Sequence, residues 1–121
     1  MAKRTFIIVA FLISISVQGQ TIEQVRQELH RQNVPHAEIV LAQARLETGN
    51  FTSLMCKVRH NLFGIKHNGR YASYSNWKES IADYKKRISS RYNGGDYFAF
   101  LKRIGYASDP RYQAKVRGCM R

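Results

Sequence analysis

Two polar side chains, Gln43 and Glu47, are the residues whose type and spacing best suit chemistry. They lie four positions apart in a stretch that is otherwise largely apolar, so they share one face of a predicted helix. In the last turn of a mostly buried helix, the negative end of the helix dipole disfavours a charged carboxylate, and so does an apolar surrounding. A glutamate held in this way suits a general acid near neutral pH. The alternative is a solvated glutamate at a helix end, which is the more common case.

The helix that must position Glu47 is predicted within the stretch from Pro35 to Phe51. Pro35 suits the first helical position, where its missing N–H costs nothing, and Gly49 suits the left-handed residue that ends many helices. Apolar residues surround the helix axis, which predicts that most of this helix is buried. These residues are Ala37, Ile39, Val40, Leu41, Ala42, Ala44 and Leu46.

Capping signals and apolar spacing predict the elements before and after this helix. Thr21 has the spacing of a capping box with Gln24, ahead of an amphipathic helix over residues 22–32. Residues 52–58 are predicted to form a short helical turn. The Asn68-Gly69 pair is typical of a tight turn, so a small hairpin is expected around it.

The second half of the chain is predicted to be helical. Asn76 caps a helix that runs to about Arg91, and Asp96 caps a helix stopped by Gly105. Asp109, as an N-cap followed by proline, is expected to open the final helix. The predicted fold class is therefore α+β, mostly α, in a single domain with a small β-hairpin stub.

The first nineteen residues have the pattern of a secretory signal peptide. Lys3 and Arg4 precede an apolar stretch over residues 6–17, and a small-residue cleavage site lies near Gly19. This apolar stretch is shorter than the roughly 20 residues that span a bilayer. We expect export to the periplasm, the cell wall or the exterior, with a domain over residues 20–121. A retained N-terminal anchor is the alternative.

The composition is strongly basic, with 20 Lys and Arg against 8 Asp and Glu and a formal charge of +12. Such a charge favours attraction to polyanions, which for an exported protein are anionic cell-wall polymers and lipid headgroups. A basic surface without any particular partner would have the same composition. The length of 121 residues allows one domain with a modest core.

Cys56 and Cys119 are candidates for a disulfide, because an exported chain meets oxidising conditions. Closing so long a loop could stabilise the fold by roughly 4 kcal/mol, but spacing alone does not show that the two side chains come within reach. The four histidines are scattered, and the sequence has neither a Cys-x-x-Cys nor a His-Glu-x-x-His motif. We therefore expect no metal site and no cofactor.

Four ordered stretches carry a family resemblance. They are residues 39–49 (IVLAQARLETG), 61–66 (NLFGIK), 77–84 (WKESIADY) and 105–112 (GYASDPRY). Together they resemble glycoside hydrolase family 73, the peptidoglycan-cleaving N-acetylglucosaminidases related to a flagellar muramidase domain. The resemblance covers about residues 21–118, and it implies a lysozyme-like fold with a groove between a helical lobe and a small β-lobe.

The resemblance also implies roles for single residues. Glu47 takes the position of the general acid, which protonates the leaving glycosidic oxygen. Gln43, Asn61, Phe63 and Tyr106 become candidates for substrate binding, with Gln43 orienting Glu47 and Tyr106 facing the cleft. For Phe63 and Tyr106, packing in the core is the alternative.

One departure from the family pattern concerns the second carboxylate that glycoside hydrolysis ordinarily uses. Residues 67–76, where many members place it, contain no Asp or Glu. The 2-acetamido group of the sugar could then act as an internal nucleophile, Asp83 could substitute, or the domain could bind glycan better than it cleaves it.

The resulting expectation is an exported peptidoglycan hydrolase that cuts a β-1,4 bond, on the reducing side of N-acetylglucosamine. A lytic transglycosylase and a peptidoglycan-binding module with weak or no activity are the alternatives. A basic nucleic-acid binder ranks last, because no recognition motif or basic helix is evident. We expect a monomer that binds no nucleic acid and has no membrane segment after signal cleavage.

Overall fold

The computed structural model describes residues 20–121, so the expected signal peptide over residues 1–19 lies outside the described residues. The described chain forms six α-helices, one 3₁₀-helix over Ser89–Arg91 and one hairpin. The elements in order are α1 (Ile22–Arg31), α2 (Ala37–Glu47), α3 (Leu54–Arg59), β1 (Lys66–His67), β2 (Arg70–Tyr71), α4 (Trp77–Arg87), α5 (Tyr97–Arg103) and α6 (Tyr112–Gly118). The predicted class, α+β and mostly helical with a small hairpin, is confirmed.

Helix α1 begins with the predicted capping box. The Thr21 hydroxyl accepts a hydrogen bond from the backbone N–H of Gln24, whose side chain accepts one from the Thr21 N–H. The helix packs against α2 and buries Val25 and Leu29 completely. Its cap and its apolar face therefore agree with the sequence pattern.

Helix α2 begins at Ala37, two residues later than the sequence pattern indicates. The prediction that Pro35 opens this helix is wrong, because His36 has left-handed backbone angles (φ 51°) and acts as the N-cap. The His36 ring lies 5.1 Å from the Tyr97 ring, and its Nε2 is 2.7 Å from the Tyr92 hydroxyl. These tertiary contacts hold His36 outside the helix.

The other end of α2 is closed as predicted, by a left-handed Gly49 (φ 56°). The N–H of Asn50 donates to the Arg45 carbonyl at 2.7 Å, and that of Gly49 donates to Leu46 at 3.5 Å, which is the Schellman pattern. Thr48, fully buried, donates its hydroxyl to the Ala44 carbonyl at 2.6 Å. These hydrogen bonds together fix the backbone of the last turn of α2.

The hairpin is very short. Lys66 pairs with Tyr71 and His67 with Arg70 in an antiparallel register. Asn68 and Gly69 both have positive φ (53° and 79°), which a type I′ turn requires. The predicted tight turn is confirmed, and the strands extend only two residues each.

The second half of the chain follows the predicted caps with two changes. Asn76 and Asp96 accept hydrogen bonds from Glu79 and Ala99, as expected of N-caps, but α4 ends at Arg87 and a 3₁₀-helix follows. The prediction that Asp109 opens the last helix is wrong. Its carboxylate instead accepts a hydrogen bond from the Arg111 N–H at 2.8 Å, which forms a turn before α6.

The two cysteines are free, so the candidate disulfide between them is not formed in this structure. The Cys56 sulfur accepts a hydrogen bond from Gln20 Nε2 at 2.9 Å. The partly buried Cys119 follows α6, and its carbonyl accepts a hydrogen bond from Arg45. None of the helices within residues 20–121 combines the length and the apolar character that crossing a bilayer requires.

Candidate active site

Glu47, the last residue of α2, lines a cleft of about 320 Å³. The wall of the cleft is formed by the loop over residues 63–65, by β1, by the end of α4 with the following 3₁₀-helix, and by Tyr106. The Glu47 side chain is half-buried. The Glu47 carboxyl group therefore lies in a cleft whose wall includes both helical residues and a residue of the hairpin.

Burial raises the pKa of Glu47 above its ordinary value. No group within residues 20–121 gives this carboxyl a hydrogen bond or an ion pair that would stabilise its charge. The protonated form is therefore favoured more than in a solvated glutamate, and none of the described protein groups forms a hydrogen bond with this carboxyl group. These are the properties that a general acid needs.

Gly64 brings the backbone of the 63–65 loop directly against this carboxyl group. A Cβ atom at position 64 would lie 3.5 Å from Glu47 Oε2, and the φ of Gly64 is +64°. Glycine adopts such angles without steric cost. Sequence reasoning missed this role, although the glycine lies within one of the four motifs.

Phe63 and Tyr106 line the same cleft as Glu47. The Tyr106 hydroxyl donates to the Phe63 carbonyl at 3.4 Å, and burial raises the pKa of Tyr106 well above its usual range, so the hydroxyl keeps its proton. Phe63 is 3 % exposed, and its ring centroid lies 4.5 Å from that of Tyr84, so most of its side chain belongs to the core. The structure therefore brings three of the predicted site residues together.

Gln43 does not reach the cleft, in contrast to its proposed contact with substrate. Its side chain is fully buried. The Tyr84 hydroxyl donates to Gln43 Oε1 at 2.6 Å, and Gln43 Nε2 donates to the Tyr112 hydroxyl at 3.1 Å. With both amide atoms engaged in the interior, Gln43 joins α2 to α4 and α6 one turn before Glu47.

Asn61 is also fully buried. It therefore does not line the groove, although the family resemblance implies that it would. Its Nδ2 donates to the carbonyls of Ile65 and Ala72 at 2.9 and 3.0 Å, and its Oδ1 accepts from the Ile65 N–H at 3.1 Å. Asn61 therefore shapes the loop that carries Phe63 and Gly64, and it acts on the cleft through that loop.

Three cations, Lys66, Arg87 and Arg91, line the cleft together with Glu47. Sequence reasoning did not single them out, because isolated basic residues in a chain of this charge give no signal of their own. Of the described residues that line the cleft, Glu47 is the one acid.

Comparison with known proteins shows the family to which the chain belongs. The profile of the family described as mannosyl-glycoprotein endo-β-N-acetylglucosaminidase, or glucosaminidase, matches residues 22–121. The chain belongs to this glucosaminidase family. The family predicted from the four motifs is confirmed, and it places the chain among the glycoside hydrolases.

A curated relative of this chain is the peptidoglycan hydrolase FlgJ of Pseudomonas aeruginosa. It is 30 % identical over an alignment that covers 66 % of this chain and 30 % of the relative. This chain thus matches less than a third of that protein's length. No solved structure gives a significant match.

Asp83, the candidate for a second carboxylate in this glucosaminidase, is engaged elsewhere. It accepts hydrogen bonds from Tyr74 at 2.6 Å and Arg87 at 2.8 Å, and His67 Nε2 lies 2.8 Å away. Partial burial opposes its charge, but these partners together lower the pKa of Asp83. Asp83 is not among the residues that line the cleft. Its contact with His67 instead connects α4 to the hairpin.

Proposed function

We propose that this protein is a peptidoglycan hydrolase of the N-acetylglucosaminidase type, with Glu47 as its general acid. The observation that carries the proposal is the half-buried carboxyl group of Glu47, whose pKa is raised and which faces a cleft without a partner among the described residues. Membership of the glucosaminidase family and the similarity to a peptidoglycan hydrolase support the substrate class.

In the proposed reaction, Glu47 donates its proton to the glycosidic oxygen while the bond from that oxygen to the anomeric carbon breaks. The positive charge that develops on the sugar ring needs a nucleophile. Because Glu47 is the one acid among the described cleft residues, we propose that the carbonyl oxygen of the 2-acetamido group attacks the anomeric carbon. Water then opens the resulting ring, and its proton returns to the Glu47 carboxylate.

A lytic transglycosylase is the second candidate, and the same lack of a second acid in the described cleft favours it. In that reaction a hydroxyl group of the sugar attacks in place of water, so the product is an anhydro sugar that lacks one water. Product mass distinguishes the two reactions.

The test is digestion of purified sacculi by the protein and by its Glu47→Gln variant, with the soluble products identified by mass. General-acid catalysis contributes about 10²- to 10⁴-fold, so we expect a loss of activity of about that size. Glu79→Gln, on an exposed residue of α4 away from the cleft, is the matched control and should keep wild-type activity.

Two outcomes would contradict the proposal. If wild type and Glu47→Gln release equal fragments, Glu47 is not the acid. If neither releases any fragment while both bind sacculi, the protein is a peptidoglycan-binding module. A product with N-acetylglucosamine at its reducing end would support the proposed bond preference, and N-acetylmuramic acid there would indicate a muramidase.

We also propose that the protein acts where its substrate lies, in the periplasm or in the cell wall. We propose further that it is a monomer. The formal charge of +12 supports an affinity for anionic wall polymers. Fractionation of the producing cells, with detection of the protein in each fraction, tests this location.

A further inference from the structure

The charges in the cleft do not match the reaction that the cleft is proposed to perform. Lys66, Arg87 and Arg91 line it, whereas Glu47 is the one acid among its described residues. The transition state of glycoside hydrolysis carries positive charge on the sugar ring. A cleft with net positive charge therefore opposes the reaction, unless something neutralises it.

Only part of that positive charge is neutralised by the protein. Arg87 forms an ion pair with Asp83, with Nε 2.8 Å from Oδ1. Lys66 and Arg91 form no ion pair with any residue in the range 20–121. Lys66 contacts the Tyr71 ring, with Nζ 4.8 Å from its centroid, and that contact leaves the charge in place.

The two cations without an ion pair among the described residues line the same cleft. Lys66 begins β1, and Arg91 ends the 3₁₀-helix that follows α4. Both side chains are exposed, so they can meet a ligand without any rearrangement of the core. An anionic group carried by the substrate would satisfy both cations and remove their repulsion of the transition state.

We propose that Lys66 and Arg91 form an anion subsite that receives carboxylate groups attached to the glycan strand. This proposal rests on the proposed function and deepens it, because it names what the enzyme selects. The carboxylates of peptidoglycan belong to the lactyl group of muramic acid and to the peptide stems. A glycan that bears either should be cleaved faster than a neutral chain of N-acetylglucosamine.

The test compares the double variant Lys66→Gln/Arg91→Gln with wild type on soluble glycan oligomers of one length. The three substrates are stem-free oligomers with free lactyl carboxylates, the same oligomers after amidation of those carboxylates, and stem-bearing oligomers. We expect kcat/KM on the acidic substrates to fall about tenfold in the variant. On the amidated substrate kcat/KM should not fall, because removing the cations also removes their repulsion of the transition state. The acidic substrate that loses more identifies the source of the carboxylate.

The matched control is Arg70→Gln/Lys86→Gln. It removes the same charge from exposed residues of the hairpin and of α4, the helix that precedes the 3₁₀-helix of Arg91, and neither residue lines the cleft. The ratio of rates on acidic and amidated substrates should stay at its wild-type value in this control. An equal fall of the ratio in both double variants would mean that overall charge, and not the subsite, attracts the acidic glycan.

Binding separates a failure of this proposal from a failure of the proposed function. In a Glu47→Gln background, titration calorimetry with the same oligomers measures affinity without cleavage. Selective loss of affinity for acidic oligomers after the Lys66 and Arg91 substitutions supports the subsite even if no variant cleaves glycan. Cleavage by wild type with equal rates on acidic and amidated oligomers would overturn the subsite and leave the hydrolase proposal in place.

Discussion

The carboxyl group of Glu47 has lost part of its hydration and gained no hydrogen bond from residues 20–121. This environment disfavours its charged form, which opposes folding at neutral pH and favours proton donation. The neighbouring Gly64 backbone and the Tyr106 ring complete the wall without adding a negative charge. The properties of this acid are therefore set mainly by the groups that surround it.

The first prediction concerns pH. A general acid must be protonated, so kcat/KM should fall as pH rises through the pKa of Glu47. Because burial raises that pKa, the alkaline limb should lie above the ordinary glutamate value of 4.5. Initial rates on soluble glycan oligomers over pH 4 to 9 measure it. A limb at or below the ordinary value would contradict the role of Glu47.

The second prediction concerns Gly64. In the Gly64→Ala variant, the left-handed backbone should cost about 1 to 2 kcal/mol of stability, and the methyl group would lie 3.5 Å from Glu47 Oε2. Since the methyl group displaces water from the carboxyl group, the alkaline limb of the pH profile should move further up. Thermal unfolding and the pH–rate profile measure the two effects.

Gly69→Ala is the control for that prediction. Its φ of +79° is also left-handed, but a Cβ atom there would meet nothing within 4 Å. Gly69→Ala should lose comparable stability and keep the wild-type pH profile. If both variants shift the profile equally, the effect is a general consequence of backbone strain.

Asp83 of α4 contacts His67 of β1 and Tyr74, which follows β2, and it also pairs with Arg87 one turn further along α4. The hairpin has only two residues in each strand, too few to be stable alone. Lys66 belongs to this hairpin, so these contacts also hold one wall of the cleft. Such a role differs from catalysis and can be measured separately.

The third prediction is that Asp83→Asn lowers stability more than it lowers activity. Loss of charged hydrogen bonds should cost about 1.5 to 3 kcal/mol at neutral pH. The folded-state pKa of Asp83 is lowered, so its stabilising contribution is present above the unfolded pKa and is lost as pH falls through the folded one. The difference between wild type and variant should therefore shrink in acid.

Chemical unfolding at pH 7 and pH 3, with sacculus digestion at neutral pH, tests this prediction. Glu23→Gln removes an exposed ion pair with Arg26 and should cost no more than about 1 kcal/mol. Activity of Asp83→Asn should stay within about tenfold of wild type. A loss as large as that of Glu47→Gln would instead make Asp83 a catalytic carboxylate.

The elements could be predicted wherever the deciding contacts are local. The Thr21 capping box, the Asn68-Gly69 turn and the Asp96 cap depend on residues within a few positions, so the sequence pattern indicates them directly. Pro35 and Asp109 carry equally good helix-start signals, but each lies in a turn two or three residues ahead of the helix. For the first of these, packing of distant aromatic rings on His36 decides the outcome.

The site could be predicted only as far as the motifs name its residues. The family resemblance indicates Glu47, Phe63 and Tyr106, which share one cleft. The same reasoning assigns Gln43 and Asn61 to substrate binding, but both are fully buried, because an amide side chain can bond to buried protein groups as well as to a ligand. Which side chains share a wall depends on contacts between distant parts of the chain, and local patterns do not contain that information.

The dominant property of the protein as a whole is its positive charge. The formal excess of twelve positive charges favours attachment to an anionic wall. The Debye length is about 10 Å at 0.1 M salt and about 3 Å at 1 M, so this attraction is sensitive to salt. It should act on any anionic polymer, whereas the proposed subsite acts only within the cleft.

The fourth prediction is that binding to sacculi weakens as salt rises from about 0.05 to 0.5 M, because the exposed charges become screened. Co-sedimentation with sacculi measures the bound fraction. The rate of cleavage of a short amidated oligomer is the control, and it should change little over the same range. Salt-independent binding would show that contacts other than charge hold the protein on the wall.

The support of Glu47 connects distant positions in the chain. Gln43 bonds to Tyr112, 69 positions later, and the Arg45 guanidinium donates to the carbonyl of Cys119, 74 positions later. A ribosome or a translocation channel releases a polypeptide from its N-terminus onward, so α2 emerges long before α6. The contacts that support the last turns of α2 can therefore form only after α6 has emerged, so the proposed site would be completed much later than the helix that carries its acid.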